Sequence, residues 1–335
     1  MAERMGFEPM KELLLYTLSK RAPSTTRPPL HWYYQYLLII CFNINKKYYY
    51  LPTLLYYLGM KIYDCFTYCG EDLLLKIRLD TLYNQVDKFI IIEGNKYFNG
   101  ENKPILFKID KFNKYSDKID YYLIENFPMH NGNNWEYEYF QRNQIRRGLK
   151  DLNKNDIVLV SDVDEIPKLN NKKYLNYDSA VFMQNMYYYK FNIHYHKGLK
   201  WKNKWPGTKS CKYKFFESAQ EIRGFRNKEI PKWRIDKKIN RYLEWDGGWH
   251  FAFLMNEEDI SKKLERFDHE IIHLHKNSEF DKDNLVNINQ ITSRIKNFKD
   301  PYNREGIELK KVNIDETYPK YILNNLDKLS DFISE

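Results

Sequence analysis

From Lys61 onward, short apolar runs alternate with segments whose apolar residues recur at helical spacing, the pattern of an α/β sheet. Lys61–Phe66 reads as a first strand. Glu71–Tyr83 follows as a helix, with Leu74, Ile77 and Leu82 among its apolar positions, and Val86–Glu93 as a second strand, apolar through its middle and stopped by Gly94-Asn95. Tyr121–Ile124 gives a third strand, Trp135–Asp151 a helix, Ile157–Val160 an uncharged interior strand, Ala180–Phe191 a further strand and Glu257–Lys276 a long helix. No internal repeat is visible, which excludes solenoids. The expected organisation is a domain over residues 61–300, with residues 301–335 as a C-terminal extension packed on it.

Residues 1–60 break this pattern. Arg21–Pro29 is rich in Pro, Ser and Thr, and Pro28–Asn45 has no formally charged side chain. That length is marginal for a membrane span, and its Tyr, Gln and Asn content fits an interfacial segment or weak anchor better. A second reading is that Gly6–Pro9 and Tyr16–Pro29 resemble the translation product of a transfer-RNA gene, which would put the natural start near Met60.

Composition narrows the class. With 43% hydrophobic and 30% charged residues in 335, and a mean hydropathy of -0.73, the chain is neither disordered nor a multi-span membrane protein. The net charge of +9 favours anionic ligands, yet the basic residues gather only in short clusters such as Lys197–Lys204 and Arg234–Lys238, so no dedicated nucleic-acid partner is expected. Four irregularly spaced Cys (Cys41, Cys65, Cys69, Cys211) form neither a disulfide framework nor a zinc ribbon. With no Asn-x-Ser/Thr acceptor, a cytoplasmic or membrane-peripheral location is favoured.

The richest chemistry lies where the strand Ile157–Val160 runs into Asp162, Asp164 and Glu165. Ligands of such sheets collect beyond the carboxyl ends of the strands. In extended backbone Asp162 and Asp164 leave on the same side, and a divalent cation would relieve their repulsion; a solvated acidic turn is the plain alternative. A second stretch, Glu244-Trp245-Asp246-Gly247-Gly248-Trp249-His250-Phe251, sets paired glycines between indoles and a histidine, suited to stacking on a sugar or, more plainly, to a tight packed turn. His269-Glu270-Ile271-Ile272-His273 matches the zinc-protease signature, although its polar flanks suit a solvated helix and no third histidine follows at metzincin spacing. An aspartyl-nucleophile phosphatase fold is disfavoured, because its motif sits at the start of the domain.

Taken together, Tyr63–Phe66, Glu71–Leu79, Val86–Glu93, Phe98–Gly100 with Lys103-Pro104, Gln141–Asn143, Asp162–Pro167, Trp205–Thr208 and Gly248–His250 resemble glycosyltransferase family 17, the β-1,4-mannosyl-glycoprotein 4-β-N-acetylglucosaminyltransferase-like enzymes. The resemblance runs from about residue 61 to 275. It implies an α/β nucleotide-sugar-binding fold of the GT-A type, a single mixed sheet flanked by helices, and inverting transfer of a sugar, at family level N-acetylglucosamine from UDP-GlcNAc, to a glycan acceptor. It further implies Mn²⁺ or Mg²⁺ held by Asp162 and Asp164, with His250 completing the metal shell or touching the diphosphate, and Arg142 or Arg78 adding positive charge to the diphosphate. Arg78 has the alternative of a structural pairing with Glu71. Glu165, Asp246 and Glu244 are the candidates for the catalytic base. Glu93 would contact the nucleoside or position a loop, and Trp249 would face the acceptor. The competing readings are a zinc metalloprotease on His269, Glu270 and His273, and a non-enzymatic carbohydrate or nucleic-acid binding module.

Overall fold

The computed structural model of the chain describes residues 59–129, 134–199, 202–225, 239–266 and 282–335. The chain divides into Met1–Leu58 and Gly59–Glu335, and every described residue belongs to the second unit. The uncharged stretch Pro28–Asn45 and the His269–His273 motif lie outside the described residues. Among those described, no helix is long and apolar enough to cross a membrane.

The runs with least charge form one end of the sheet. β1 (Ile62–Thr67), β2 (Lys88–Gly94), β3 (Ile119–Ile124) and β4 (Ile157–Asp162) are parallel, in the order β4-β1-β2-β3. Their near-continuous apolar sequence follows from having both faces covered. On one face Tyr63, Cys65, Ile90, Ile92, Val158 and Val160 pack with Ile145 and Leu149, which follow α2 (Asn134–Asn143), and with Ala219 and Ile222 of α3 (Ala219–Arg223). On the other face lies α1 (Asp72–Leu82), whose Arg78 guanidinium stacks over Phe66.

Beyond β4 the sheet becomes mixed. β8 (Trp205–Lys212) is antiparallel to β4 and to β6 (Ser179–Tyr188). β6 also pairs in parallel with β9 (Arg241–Glu244) and β10 (Gly248–Ala252), while β10 meets the short β5 (Glu165–Pro167) antiparallel. β7 (Ile193–Lys197) and β11 (Glu308–Lys311) complete a single sheet of eleven strands among the described residues, flanked by helices. A second core gathers under β6, β7 and β10 against α4 (Glu257–Arg266), α5 (Lys282–Val286) and α6 (Ile288–Lys296). The C-terminal residues return to α1, where Ile322 of α7 (Lys320–Leu323) and Leu329 join Leu74 and Ile77.

The elements differ from the sequence expectation in two informative places. The helix expected over Trp135–Asp151 is α-helical only to Asn143 and tightens into a 3-10 turn to Gly148. A Cβ on Gly148 would lie 2.7 Å from the Ile90 side chain, so the chain presses on β2 there. The long helix expected over Glu257–Lys276 is α4 as far as Arg266, and the rest falls outside the described residues.

Two buried cations fix the loops that follow β4 and α3. Arg78 and Asp64 form an ion pair with both side chains at 0% exposure. Arg78 Nε and Nη2 donate to Asp64 at 2.7 and 2.6 Å, Nη2 also to Ser161 Oγ at 2.6 Å, and Nη1 to the carbonyls of Asp162 and Glu165 at 3.0 and 2.9 Å. Every face of the guanidinium fork is therefore used, partly on backbone that has just left the sheet. On β8, Lys209 donates to the Arg223 and Phe225 carbonyls and so closes the C-terminal end of α3. Burial, reinforced by the nearby Arg223, pushes the Lys209 ammonium down to about 7.

Two predictions follow from these groups. Arg78→Lys keeps the charge but not the fork, and should destabilise the fold by about 3–5 kcal/mol in urea unfolding, the cost of breaking a buried pair; a loss below about 1 kcal/mol would contradict the assignment. Lys209 carries a depressed folded-state pKa, so the unfolded chain binds more protons from about pH 7 upward and wild-type stability rises there. The urea midpoint of wild type relative to Lys209→Met should therefore shift in favour of wild type between about pH 7 and 10, and a difference that stays flat would refute it.

Candidate functional site

At the carboxyl ends of β1, β2 and β4 the chain opens into a cavity of about 1680 Å³, walled on its far side by β10, the residues after it and α4. Its floor carries Thr67–Cys69 after β1, Lys96–Phe98 after β2 and the acidic turn Asp162–Glu165 after β4. A volume of this size accommodates a nucleotide-sized ligand together with a second molecule.

The acidic turn is not the extended segment that its spacing suggested. β4 ends at Asp162, residues 163 and 164 form a turn, and β5 begins at Glu165. Strand alternation therefore does not apply, and the two aspartates meet different partners, although both line the cavity. Asp162 Oδ2 accepts from Arg223 Nη2 at 2.8 Å and Oδ1 from Arg142 Nη2 at 3.3 Å. Burial would raise its pKa, but Arg223 and then Arg142 outweigh this and hold the carboxyl far below the usual carboxylate range. Asp164 instead lies 3.4 Å from His250 Nε2. Burial opposes charge on both, and their mutual attraction prevails: Asp164 is lowered and His250 raised from their ordinary values.

The paired glycines explain how His250 arrives there. Gly248 takes φ +110°, and a Cβ on it would fall 2.2 Å from the Ile166 carbonyl; one on Gly247 would fall 2.4 Å from the Met183 nitrogen. Only glycines let β10 slide between β5 and β6, which brings His250 into register with Glu165. The same alternation sends Trp249 the other way. It is 6% exposed and packs with Leu74, Ile166 and Phe251 in the core, so it does not face the cavity as expected. Trp205 instead sets an indole on the cavity wall, its ring centroid 5.3 Å from that of His250.

Other expected site residues are engaged elsewhere. Arg78 is sealed beneath the turn on Asp64, rather than on Glu71 or on a diphosphate, because the sheet and α1 enclose it completely. Glu93 is buried and accepts from Lys103 Nζ, the Leu106 and Phe107 amides and Tyr121 Oη, so it positions the loop after β2 rather than meeting a nucleoside. Glu165 has no free oxygen: Trp205 Nε1 at 2.7 Å, Arg223 Nη1 at 2.7 Å, Arg223 Nη2 at 3.1 Å and the Asp162 amide at 3.1 Å take them. Glu244 accepts from Asn171 Nδ2 at 2.6 Å, and Asp246 pairs with Lys168 at 2.6 Å on the surface; neither lines the cavity. Arg142 stands in the cavity wall.

Sequence reasoning missed Arg223, Trp205, Glu71 and Glu138. Ser218-Ala219-Gln220-Glu221 is a capping-box signature, and Ser218 Oγ does accept from the Glu221 amide. That signal announces a helix but not that its last turn reaches Asp162. Glu71 lines the cavity on the loop before α1, with its Oε2 accepting from the Cys69 amide at 2.8 Å. Burial raises its pKa against the attraction of Lys263. Glu138, one turn before Arg142, is also raised by burial despite that arginine.

The donor set for a divalent cation is small. Among the described residues no three His, Cys, Asp or Glu side chains are grouped to hold a metal. Asp162 is committed to arginines, which leaves Asp164 and His250, a carboxylate and an imidazole whose Nδ1 is buried with no partner among the described residues.

Comparison with known proteins places this geometry. The family model described as "Glycosyltransferase family 17" matches residues 55–292, well over half of the chain. Two curated relatives, both named "Beta-1,4-mannosyl-glycoprotein 4-beta-N-acetylglucosaminyltransferase", from Homo sapiens and Rattus norvegicus, are each 24% identical over 224 residues, covering 57% of this chain. The chain spans 40% of the length of each of these relatives. The acidic turn and the Gly-Gly-Trp-His strand both lie within the matched span, and the chain belongs to glycosyltransferase family 17.

Proposed function

We propose that this protein is a metal-dependent, inverting glycosyltransferase with a GT-A-type fold that moves a sugar from a nucleotide-sugar donor to a glycan acceptor. The observation that carries the proposal is the Asp162–Asp164 turn at the carboxyl ends of the parallel strands, opening on one large cavity shared with Arg142, Trp205 and His250. The relatives' name supports N-acetylglucosamine as the sugar moved, so UDP-N-acetylglucosamine is the first donor and a mannose-containing glycan the first acceptor to try.

Asp164 and His250 fit Mn²⁺, whose preferences span carboxylate and imidazole, with Nε2 the His250 nitrogen that faces Asp164. Asp164 and His250 would supply two ligands to the ion, leaving its remaining positions to oxygens of the donor's diphosphate and water, as is usual for hard cations at phosphate sites. When bound, it would neutralise charge on the departing nucleoside diphosphate. Arg142 adds positive charge in the cavity wall, while Arg223 keeps Asp162 and Glu165 in place rather than reaching the ligand.

Inversion requires one carboxylate to take the proton of the acceptor hydroxyl as its oxygen bonds to the anomeric carbon and the bond to the diphosphate breaks. Glu71 suits this role. It lines the cavity, retains an oxygen beyond the one held by the Cys69 amide, and is raised toward neutrality by burial.

Calorimetry with UDP should show binding that requires Mn²⁺ and that weakens by at least about tenfold in Asp164→Ala, since even the loss of an outer-shell partner has effects of that size; UDP binding untouched by chelation would refute the metal. Glu71→Gln should lower kcat by about 10²–10⁴-fold with little change in donor KM, and the acid limb of the wild-type kcat/KM profile should lie above the ordinary glutamate range of about 4.3. An unchanged kcat would return the search for the base to the other cavity carboxylates.

A further inference from the structure

The cavity continues past the acidic turn into a second compartment. Along the paired strands β6 and β10, Met186 stands beside His250 and Tyr188 beside Ala252, and all four line the cavity. The second pair therefore lies roughly 7 Å beyond the first, the rise of two strand residues. Leu199, Phe253 and Ile295 add apolar wall, and Tyr302 and Arg304 reach the cavity from the loop between α6 and β11.

That loop is built around Asp300, whose side chain is 1% exposed. Its carboxylate accepts from the Tyr302 and Arg304 amides, both at 3.1 Å, and takes one edge of the Arg304 fork, Nε at 3.0 Å and Nη2 at 2.7 Å. Tyr189 Oη donates to the Lys299 carbonyl at 3.0 Å, and Phe298 and Asn303 both adopt positive φ, a shape that non-glycine backbone resists. Only surroundings that fix the chain keep it so. The Arg304 guanidinium packs over the Tyr302 ring at 5.2 Å, and Nη2 also meets Tyr188 Oη at 3.4 Å, yet the side chain stays 26% exposed. Because Nε and Nη2 are engaged, the open part of the fork is Nη1, which has no partner among the described residues and, unlike Arg142 Nε, is not buried.

An accessible pair of N–H groups takes an oxygen acceptor. Asp300 already balances the guanidinium, and a second carboxylate or a phosphate on the same fork would meet repulsion from the first. A neutral oxygen, a hydroxyl or an acetamido carbonyl, avoids it, and the apolar and aromatic walls suit the C–H face of a sugar ring. The family match ends at residue 292, so Asp300, Tyr302 and Arg304 lie outside it, whereas the acidic turn and His250 lie within it. The end of the cavity within the matched span carries the groups proposed for the donor, and this end adds features of this chain's own.

We infer that Arg304, carried by Asp300 and Tyr302, forms an acceptor subsite for a neutral sugar unit next to the one that is glycosylated, with Nη1 donating to a hydroxyl or acetamido carbonyl oxygen of that unit. The inference rests on the glycosyltransferase reading and deepens it, because it says how an acceptor longer than one sugar is chosen.

The test compares wild type with Arg304→Lys, which keeps a charge opposite Asp300 but removes the second donor edge. With Mn²⁺ and saturating UDP-N-acetylglucosamine, transfer is measured to methyl β-mannoside and to a mannose-containing oligosaccharide with the same β-mannosyl unit at its attacked position. Wild type should favour the oligosaccharide through a lower KM. Arg304→Lys should raise the oligosaccharide KM by about tenfold or more, the loss of one charge-assisted hydrogen bond, and so cancel most of that preference. A loss confined to KM distinguishes a missing contact to a remote sugar from damage at the reacting groups. Should Arg304→Lys fail to fold, Tyr302→Leu leaves the Asp300 ion pair in place, removes the ring beneath the fork and should give the same dependence on acceptor length. Equal KM for both acceptors in wild type, an equal penalty on both in the variants, or donor hydrolysis with no response to either acceptor would overturn the inference and leave the transferase reading standing. Preference for an oligosaccharide with a uronic acid in the neighbouring unit would overturn it as well. A wild-type protein that neither binds nor turns over any nucleotide sugar would overturn that reading, and this inference with it.

Discussion

A single guanidinium organises the site from below. Arg78, enclosed between α1 and the sheet, holds Asp64 inside β1 and at the same time takes the carbonyls of Asp162 and Glu165 as the chain leaves β4. Backbone that leaves a sheet loses its ladder partners and must find others. Here the replacement is a charged fork with fixed geometry, so the path of the acidic turn is set by the interior of the fold and not by its own side chains. The carboxylates of Asp162, Asp164 and Glu165 are then free to be spent on the cavity side.

What they meet there is a balance of charge. Arg223 spans Asp162 and Glu165, and Arg142, on the neighbouring α2, also reaches Asp162. Asp164 faces an imidazole and no arginine in the turn. The three acids are thus unequal: two are held by arginines and stiffen the site, and the third is paired with an imidazole. This division permits several like charges to coexist, because each is paired before any ligand arrives.

The parallel half of the sheet was legible in the sequence because burial on both faces leaves little besides Ile, Val, Leu and Phe in β2 and β4. β8 was not. Its sequence Trp-Pro-Gly-Thr-Lys-Ser-Cys-Lys carries a proline, a glycine and two lysines, yet it lies between β4 and β6, and Lys209 is buried only because helix-end carbonyls receive it. The position of the acidic turn and the delivery of His250 by two glycines followed from local rules. Trp249 departs from the expectation because adjacent residues on a strand point to opposite faces, so a cavity-facing His250 requires a core-facing Trp249. Arg223, Trp205, Glu71 and Glu138 are separated by tens of residues from the acids they approach, and only tertiary pairing reveals them.

The central claim is that Asp164 and His250, not the arginine-bound Asp162, receive the cation that accompanies a nucleoside diphosphate. Anomalous diffraction from crystals grown with Mn²⁺ and UDP tests this most directly. The account requires a manganese peak in coordination distance of an Asp164 oxygen and a His250 nitrogen, with the diphosphate in the cavity and Asp162 still held by Arg223. A peak on Asp162 with Arg223 displaced, or a diphosphate seated without any metal at this turn, would contradict it.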